Sequence, residues 1–360
     1  MLIGIDASRT STAERTGTEA YATYLIRELI AQTAASPHRL RLYFNQPPPT
    51  GLFAHAEHVE QVVMPFPRLW THVRLAWELH RRPPDWFFTP AHVIPLTYFG
   101  PSMATVHDVG YEQFPEAHPL AQRIYLRWST KHNGRRATVV LADSLATQRD
   151  LSDWYAIPAA KIEVVYPGLD FALADGLTRP FPHPLPHPYL LFLSTLQPRK
   201  NVVRLVEAFA QVAADIPHHL VLAGKLGWHG EQITAALARQ PAAVRERITR
   251  LGYVAEADKA ALIGGADGLL YPSLYEGFGF PLLEANLCGT PVLASNSSSL
   301  PELAGEGAAL LVNPTDTAAL AQGIRQLVGD ESLRQTLIAH GRQNVHRFTW
   351  AQAAAKVLKQ

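Results

Sequence analysis

A pattern stated twice constrains this chain most. Short apolar runs alternate with segments of helical period from Leu2 onward, halt at a cluster of prolines, and then resume. In the first half Leu2 to Ile5, Arg39 to Phe44, Val59 to Met64, Trp86 to Phe88, Met103 to Val106, Thr138 to Ala142 and Lys161 to Tyr166 read as strands. Between the first two, apolar residues at 21, 22, 25, 26 and 29 have helical spacing. In the second half Tyr189 to Ser194, His219 to Ala223, Ile248 to Tyr253, Gly268 to Tyr271, Pro291 to Ala294 and Ala308 to Val312 are strands, with helices such as Val202 to Ala214 between them. Strands that alternate with helices pair in parallel and are covered on both faces. The stretch from Phe171 to Pro188, with prolines at 180, 182, 184, 186 and 188, has little periodicity and reads as a linker. The expectation is an α/β chain of two parallel-sheet domains, 1–170 and 189–345, joined by 171–188. A last helix within 346–360, Trp350 to Leu358, crosses back towards the first domain.

At 360 residues two domains of ordinary size each obtain a core. Hydrophobic residues at 47% and charged residues at 18% exclude disorder. The 32 basic and 31 acidic residues nearly cancel, so no overall field recruits nucleic acid. Cys288 is the single cysteine and forms no internal disulfide, which points to a reducing compartment. The first residues lack the basic and apolar regions of a leader, and no run of 18 apolar residues occurs, so the expected location is cytoplasmic.

Ligands of parallel sheets sit beyond the C-terminal strand ends, which selects the loops to read for chemistry. In Tyr271 to Glu302, Gly277 and Gly279 let backbone approach a ligand, Pro281 suits the first turn of a helix and Gly289 its end. Glu276 then lies in the loop and Glu284 on the helix, flanking N–H groups that welcome a phosphate. Thr195 to Asn201 follows the first strand of the second half; Arg199 offers a fork of donors and Lys200 a point charge, suited to one diphosphate, although adjacent basic residues are often only a solvated surface. No Asp-x-Asp pair stands ready for magnesium, and Glu256-Ala-Asp258 reads as the acidic first turn of a helix. Gly224-Lys225 lacks the glycine and hydroxyl of a P-loop. His183 and His187 are separated by prolines that forbid a helical metal pair. Gly17 precedes the first helix, where a single glycine is more often only a turn, and His107 follows a strand end, where a histidine caps as often as it acts. Residues 65–82 mix aromatics with Arg68, Arg74, Arg81 and Arg82. As a helix they put Trp70, Val73 and Trp77 on one side, either docking on the sheet or touching anionic lipid.

Glu276-Gly-Phe-Gly-Phe-Pro-Leu-Leu-Glu284, with Tyr271-Pro-Ser before it and Ser299-Leu-Pro-Glu302 after it, closely resembles the retaining glycosyltransferases of family 4. Gly17-Thr-Glu-Ala-Tyr21, His107-Asp108, Tyr166-Pro-Gly-Leu-Asp170, Arg199-Lys200-Asn201 and Gly252-Tyr-Val254 add matches in family order over most of the chain. Many relatives carry an Arg several residues before the Lys; here Arg199 is adjacent to Lys200, as in a mannosyltransferase-like subgroup. The resemblance implies the GT-B fold, two Rossmann-like domains facing a central cleft that closes on a nucleotide-sugar donor, GDP-mannose ahead of a UDP-sugar. It implies a glycan or glycolipid acceptor in polysaccharide biosynthesis. Without an Asp-x-Asp pair no metal and no cofactor are expected, and the lipid-touching reading of 65–82 puts peripheral contact at the inner membrane face. It casts Arg199 and Lys200 as holding the diphosphate and Glu284 the ribose. Glu276 with the N–H groups of Phe278 and Gly279 would face the sugar, His107 would approach it, Gly17 would near the phosphate, and Tyr253 and Val254 would lie by the base. A nucleotide-sugar 2-epimerase of the same fold, or a non-catalytic sugar-nucleotide or glycan-binding protein, are the other readings; the intact Arg199, Lys200, Glu276 and Glu284 count against the last.

Overall fold

The structure of the chain, a computed structural model, describes residues 1–11, 17–91 and 93–360. The loop between Ala7 and Glu19, expected to meet a ligand, lies outside the described residues from 12 to 16. The chain divides into two compact units. The N-terminal unit comprises residues 1–113, 119–168 and 348–360; the C-terminal unit comprises 114–118 and 169–347.

In the N-terminal unit the order is β1 (Leu2–Asp6), α1 (Gly17–Thr33), β2 (Arg39–Phe44), β3 (Val59–Val63), α2 (Ala76–Arg81), β4 (Trp86–Thr89), β5 (Ser102–Val106), α3 (Gly110–Gln113), α4 (Leu120–Arg136), β6 (Val139–Ala142), α5 (Leu145–Tyr155) and β7 (Ile162–Val164). Among the described residues these strands form one parallel sheet in the order β3-β2-β1-β4-β5-β6-β7. The chain works outward from β1 in one direction, then crosses to β4 and continues in the other. One face is packed by Tyr21, Leu25, Ile26 and Leu29 of α1, the other by Leu75, Leu79, Tyr98 and Tyr111. The central strands β1, β4 and β5 are buried on both sides and read as nearly continuous apolar runs, whereas the edge strand β3 stays partly exposed and carries Glu60 and Gln61. Ser144 starts α5 by accepting a hydrogen bond from the Thr147 N–H at 3.0 Å.

The C-terminal unit continues with β8 (Tyr189–Leu193), α6 (Val202–Val212), β9 (His219–Ala223), α7 (Gly230–Ala238), α8 (Ala242–Arg245), β10 (Ile248–Gly252), α9 (Glu256–Gly264), β11 (Gly268–Tyr271), α10 (Phe280–Cys288), β12 (Val292–Ser295), α11 (Leu300–Ala304), β13 (Leu310–Val312), α12 (Thr317–Gly329) and α13 (Glu331–Asn344). Its described strands are again parallel, in the order β10-β9-β8-β11-β12-β13. Leu205, Val206, Phe209 and Val212 of α6 pack against Leu190, Leu220 and Leu222 of the sheet and against Leu320 and Ile324 of α12. Before β8, residues Phe171–Thr178 coil into a 3-10 helix that packs on α9 and α10, so the first part of the stretch between the sheets is ordered within this unit. Asp170 opens it by accepting from the Ala172 N–H at 3.1 Å.

The last helix, α14 (Trp350–Leu358), belongs to the N-terminal unit. Trp350 stacks on Tyr24 with centroids 5.6 Å apart and meets Tyr21 edge-on, while Lys356 donates to the Val164 carbonyl at 2.8 Å. A Cβ on Gly168 would fall 2.2 Å from the Trp350 nitrogen, so only glycine lets α14 seat there.

The aromatic-basic stretch departs from expectation. Trp70 is buried, its indole donating to the Met64 carbonyl at 2.8 Å, whereas Val73 and Trp77 are exposed. Thr71–Leu75 is a π-helical turn, in which the Leu75 N–H bonds to the Trp70 carbonyl. That wider turn shifts the phase by one residue, so positions 70, 73 and 77 do not share a side. Among the described residues no helix is long and apolar enough to cross a membrane.

Candidate functional site

In the C-terminal sheet the strand order reverses between β8 and β11, which are hydrogen-bonded neighbours. Loops leaving adjacent strands at such a point part in opposite directions and leave a crevice. Thr195 to Asn201 leaves β8, and Pro272 to Gly279 leaves β11.

Each loop is built to hold its side chains still. Pro198–Lys200 form a single 3-10 turn that ends at Asn201, which adopts φ +62°, a left-handed conformation that asparagine tolerates. The Asn201 amide donates to the carbonyls of Pro272 at 3.0 Å and Pro314 at 2.7 Å, and the Leu274 N–H donates to the Arg199 carbonyl at 2.9 Å. The two loops are thereby tied to each other by backbone as well as by side chains. On the far side, the Ser298 hydroxyl accepts from the Glu276 N–H at 2.8 Å and the Ser299 hydroxyl donates to the Glu276 carbonyl at 3.0 Å. Gly279 has φ +135°, and a Cβ there would meet Leu300 Cδ2 at 2.7 Å; α10 begins immediately after it, with Pro281 in its first turn and Gly289, φ +74°, at its end.

These loops bring Arg199, Lys200 and Glu276 together. Lys200 Nζ lies 2.5 Å from Glu276 Oε1, Arg199 Nη1 lies 3.4 Å from Oε2, and the Tyr271 hydroxyl donates to Oε1 at 2.6 Å. Arg199 also donates to the Tyr275 carbonyl at 3.1 Å. Glu276 and Lys200 are both buried. Burial by itself raises the Glu276 pKa, but the charges of Lys200 and Arg199, with the hydrogen bonds of Lys200 and Tyr271, bring it down to about 2. The carboxylate is ionised throughout the neutral range, and the cluster is a pre-charged cradle of two cations around one anion.

Phe278 is buried beside this cluster, and its ring meets Phe280 edge-on at 5.1 Å. Glu284 stands apart from it on α10, where Oε1 accepts from Lys259 Nζ at 2.9 Å. Lys259 also pairs with Glu256 at 2.8 Å; burial disfavours its charge, but Glu284 and Glu256 together raise its pKa above the ordinary lysine value. At the end of β10, Gly252 has φ +73°, the Tyr253 ring is exposed, and Lys225 Nζ lies 4.8 Å from that ring's centroid. Val254 is half-buried next to it.

Gly17 and His107 belong to the N-terminal unit. Gly17 is the exposed first residue of α1, and a Cβ there would meet nothing within 4 Å, so packing does not demand the glycine. His107 follows β5; its Nδ1 lies 2.7 Å from Asp143 Oδ2 and its Nε2 3.0 Å from the Pro90 carbonyl, with Tyr21 edge-on at 4.8 Å. An oxygen acceptor at each nitrogen is satisfied only by a ring protonated on both. Burial opposes that charge most, yet Asp143, Asp108 and the Pro90 carbonyl together raise the His107 pKa above its ordinary value.

Residues 15–173 match the family described as Glycosyltransferase Family 4, and residues 177–344 match Glycosyl transferases group 1. O-antigen chain mannosyltransferase B of Escherichia coli is 30% identical over 269 residues, 71% of this chain and 69% of that protein. The chain belongs to the family 4 glycosyltransferases. A second relative from Escherichia coli, serotype-specific mannosyltransferase WbdA, is 29% identical over 61% of this chain, which spans only 28% of that longer protein. In fold the glycosyltransferase is similar to sucrose-phosphate synthase of Thermosynechococcus elongatus, with a TM-score of 0.76 at 22% identity, covering 99% of this chain and 97% of that one. It is a GT-B transferase of two Rossmann-like units.

Four side chains, three at the glycosyltransferase's strand ends and one on α9, were given no role by sequence reasoning. Tyr271 touches Glu276, Lys259 holds Glu284, Lys225 lies over Tyr253 and Asp143 holds His107. Each except Lys259 is the last residue of a strand or the residue one or two beyond it, and that position is the signal that finds them.

Proposed function

We propose that this glycosyltransferase moves a sugar from a nucleoside diphosphate donor, GDP-mannose ahead of a UDP-sugar, to a hydroxyl of a glycan or glycolipid, with retention at the anomeric carbon and no metal ion. The observation that carries the reading is the pair Arg199 and Lys200 held on Glu276 where β8 and β11 part. As the sugar leaves, its C1 gains cationic character and the diphosphate gains charge; fixed cations that meet that charge lower the barrier. Arg199 supplies a planar fork and Lys200 a point charge for the diphosphate. Glu284 accepts from the ribose hydroxyls, Tyr253 and Val254 flank the base, and Glu276 with the N–H groups of Phe278 and Gly279 faces the sugar. The departing phosphate oxygen takes the acceptor's proton on the face it leaves, so no second carboxylate is needed as nucleophile. The names of the Escherichia coli relatives support mannose and a polysaccharide acceptor. Lys200→Ala, assayed for GDP release from GDP-mannose in EDTA, is expected to lose on the order of a hundredfold in rate while the unsubstituted enzyme keeps its activity in the chelator. An undiminished K200A rate, or loss of the unsubstituted activity that magnesium restores, refutes the assignment.

We further infer peripheral contact with anionic lipid through 65–82. Leu69, Val73 and Trp77 are exposed there, and the guanidinium groups of Arg74 and Arg81 lie 4.8 and 5.1 Å from the Trp77 ring. Apolar side chains ringed by cations suit the headgroup boundary of a bilayer. Charge reversal at Arg74 and Arg81 is expected to reduce co-sedimentation with phosphatidylglycerol vesicles, and equal sedimentation of the two proteins removes the idea.

A further inference from the structure

Lys200 cannot serve a diphosphate without giving something up. Its ammonium lies 2.5 Å from Glu276 Oε1 and 3.3 Å from the Tyr271 hydroxyl, and both Lys200 and Glu276 are buried. A buried carboxylate that loses its cation is costly. A second donor already sits on the same oxygen, because the Tyr271 hydroxyl donates to Glu276 Oε1 at 2.6 Å. The phenol is fully enclosed at the end of β11, and its ring lies 5.5 Å from Lys200 Nζ. Burial and the charge of Glu276 hold its pKa well above the ordinary tyrosine value, so it stays a donor at every working pH.

We propose that Tyr271 is a positioning residue of the transfer reaction, whose hydroxyl keeps Glu276 satisfied while Lys200 shifts from that carboxylate to the donor's diphosphate. The inference rests on the donor-site reading above and adds to it a residue that touches neither phosphate nor sugar. No bond is made or broken in the exchange: the ammonium turns from one anion to another, and the tyrosine proton remains on its oxygen. Arg199, at 3.4 Å from the other carboxylate oxygen, is too long a contact to do this alone. Without the hydroxyl, Glu276 holds Lys200 more tightly, and the loss grows as charge develops on the leaving group, so it falls more on kcat than on KM.

The test is a double-mutant cycle on the full chain, with GDP as the binding probe and GDP release from GDP-mannose as the rate. Tyr271→Phe removes one oxygen and leaves the ring over Lys200. It is expected to weaken GDP binding about tenfold, the loss associated with a hydrogen bond to a charged group, and to lower kcat by more than it raises KM. In the Lys200→Ala background the same change is expected to cost less than about twofold, because the residue whose shift it assists is gone. Equal losses in both backgrounds, as a general structural role produces, overturn the inference, and so does a Tyr271→Phe protein with unchanged binding and rate. Should Tyr271→Phe alone fail to fold, the cycle is run in Glu276→Gln, which removes the buried charge. There the hydroxyl is expected to make no difference to GDP affinity, and a tenfold difference refutes it. A Lys200→Ala protein that binds GDP as the unsubstituted chain does refutes the donor-site reading itself, a result distinct from either failure of Tyr271.

Discussion

Glu276 is a carboxylate that burial alone would neutralise. It stays charged because Lys200, Arg199 and Tyr271 reach it, and this gives its stability contribution a definite pH sign. Its folded pKa of about 2 lies below the ordinary 4.5, so the contribution is complete above 4.5 and is lost as pH falls through about 2. Glu276→Gln is expected to lower the melting temperature at pH 7, with the gap from the unsubstituted protein closing as pH is lowered from 4.5 towards 2. Calorimetry across that range reads it, and a gap independent of pH would mean that the carboxylate's charge is not what the pair contributes. Arg199, Lys200 and Glu276 are legible in the sequence because each lies in a loop that follows a strand, and Glu284 because Pro281 and Gly289 mark the helix that carries it. Tyr271 is not, since a tyrosine closing an apolar strand reads as core until its hydroxyl is seen on Glu276.

At the scale of elements, the loop from β11 to α10 shows how far local rules reach. Pro281, Gly289 and the glycines between Glu276 and Phe280 announce a loop, a helix start and a helix end, and α10 forms between those marks. Gly279 is required twice, by φ +135° and by the 2.7 Å approach of Leu300 to the place of a Cβ. Gly279→Ala is accordingly expected to destabilise the protein by roughly 1–3 kcal/mol. Urea unfolding measures this, and a midpoint equal to that of the unsubstituted chain would show that the loop relaxes freely. Local rules fail at 65–82. The π-helical turn at Thr71–Leu75 is set by burial of Trp70 and its bond to Met64, a tertiary demand that no α-helical periodicity contains. Short strands also shrink against their apolar runs: β7 and β13 each keep three paired residues, because pairing ends where the neighbouring strand does.

At the scale of the whole chain, the C-terminal residues are part of the N-terminal unit's core. Ala353, Ala354 and Val357 are buried against α1, and Trp350 lies against Tyr21 and Tyr24. Deleting residues 348–360 uncovers that face, and the N-terminal unit is expected to lose stability while the C-terminal unit still binds GDP. Limited proteolysis with mapping of the cut sites distinguishes the two, and an N-terminal unit as resistant as before would show that α14 only rests on it.

The class of fold and the chemistry available follow from the order of residues. Apolar runs alternating with helical periods admit little but parallel sheets, and parallel sheets offer ligands their strand ends. Tertiary structure alone decided which charges meet. Lys200 and Glu276 are 76 residues apart and come within 2.5 Å only because β8 and β11 are neighbours where the strand order reverses. Lys259 and Glu284 pair between two helices, and His107 and Asp143 between the ends of two strands. Strand order is chosen by packing of the whole sheet, and no local pattern carries it.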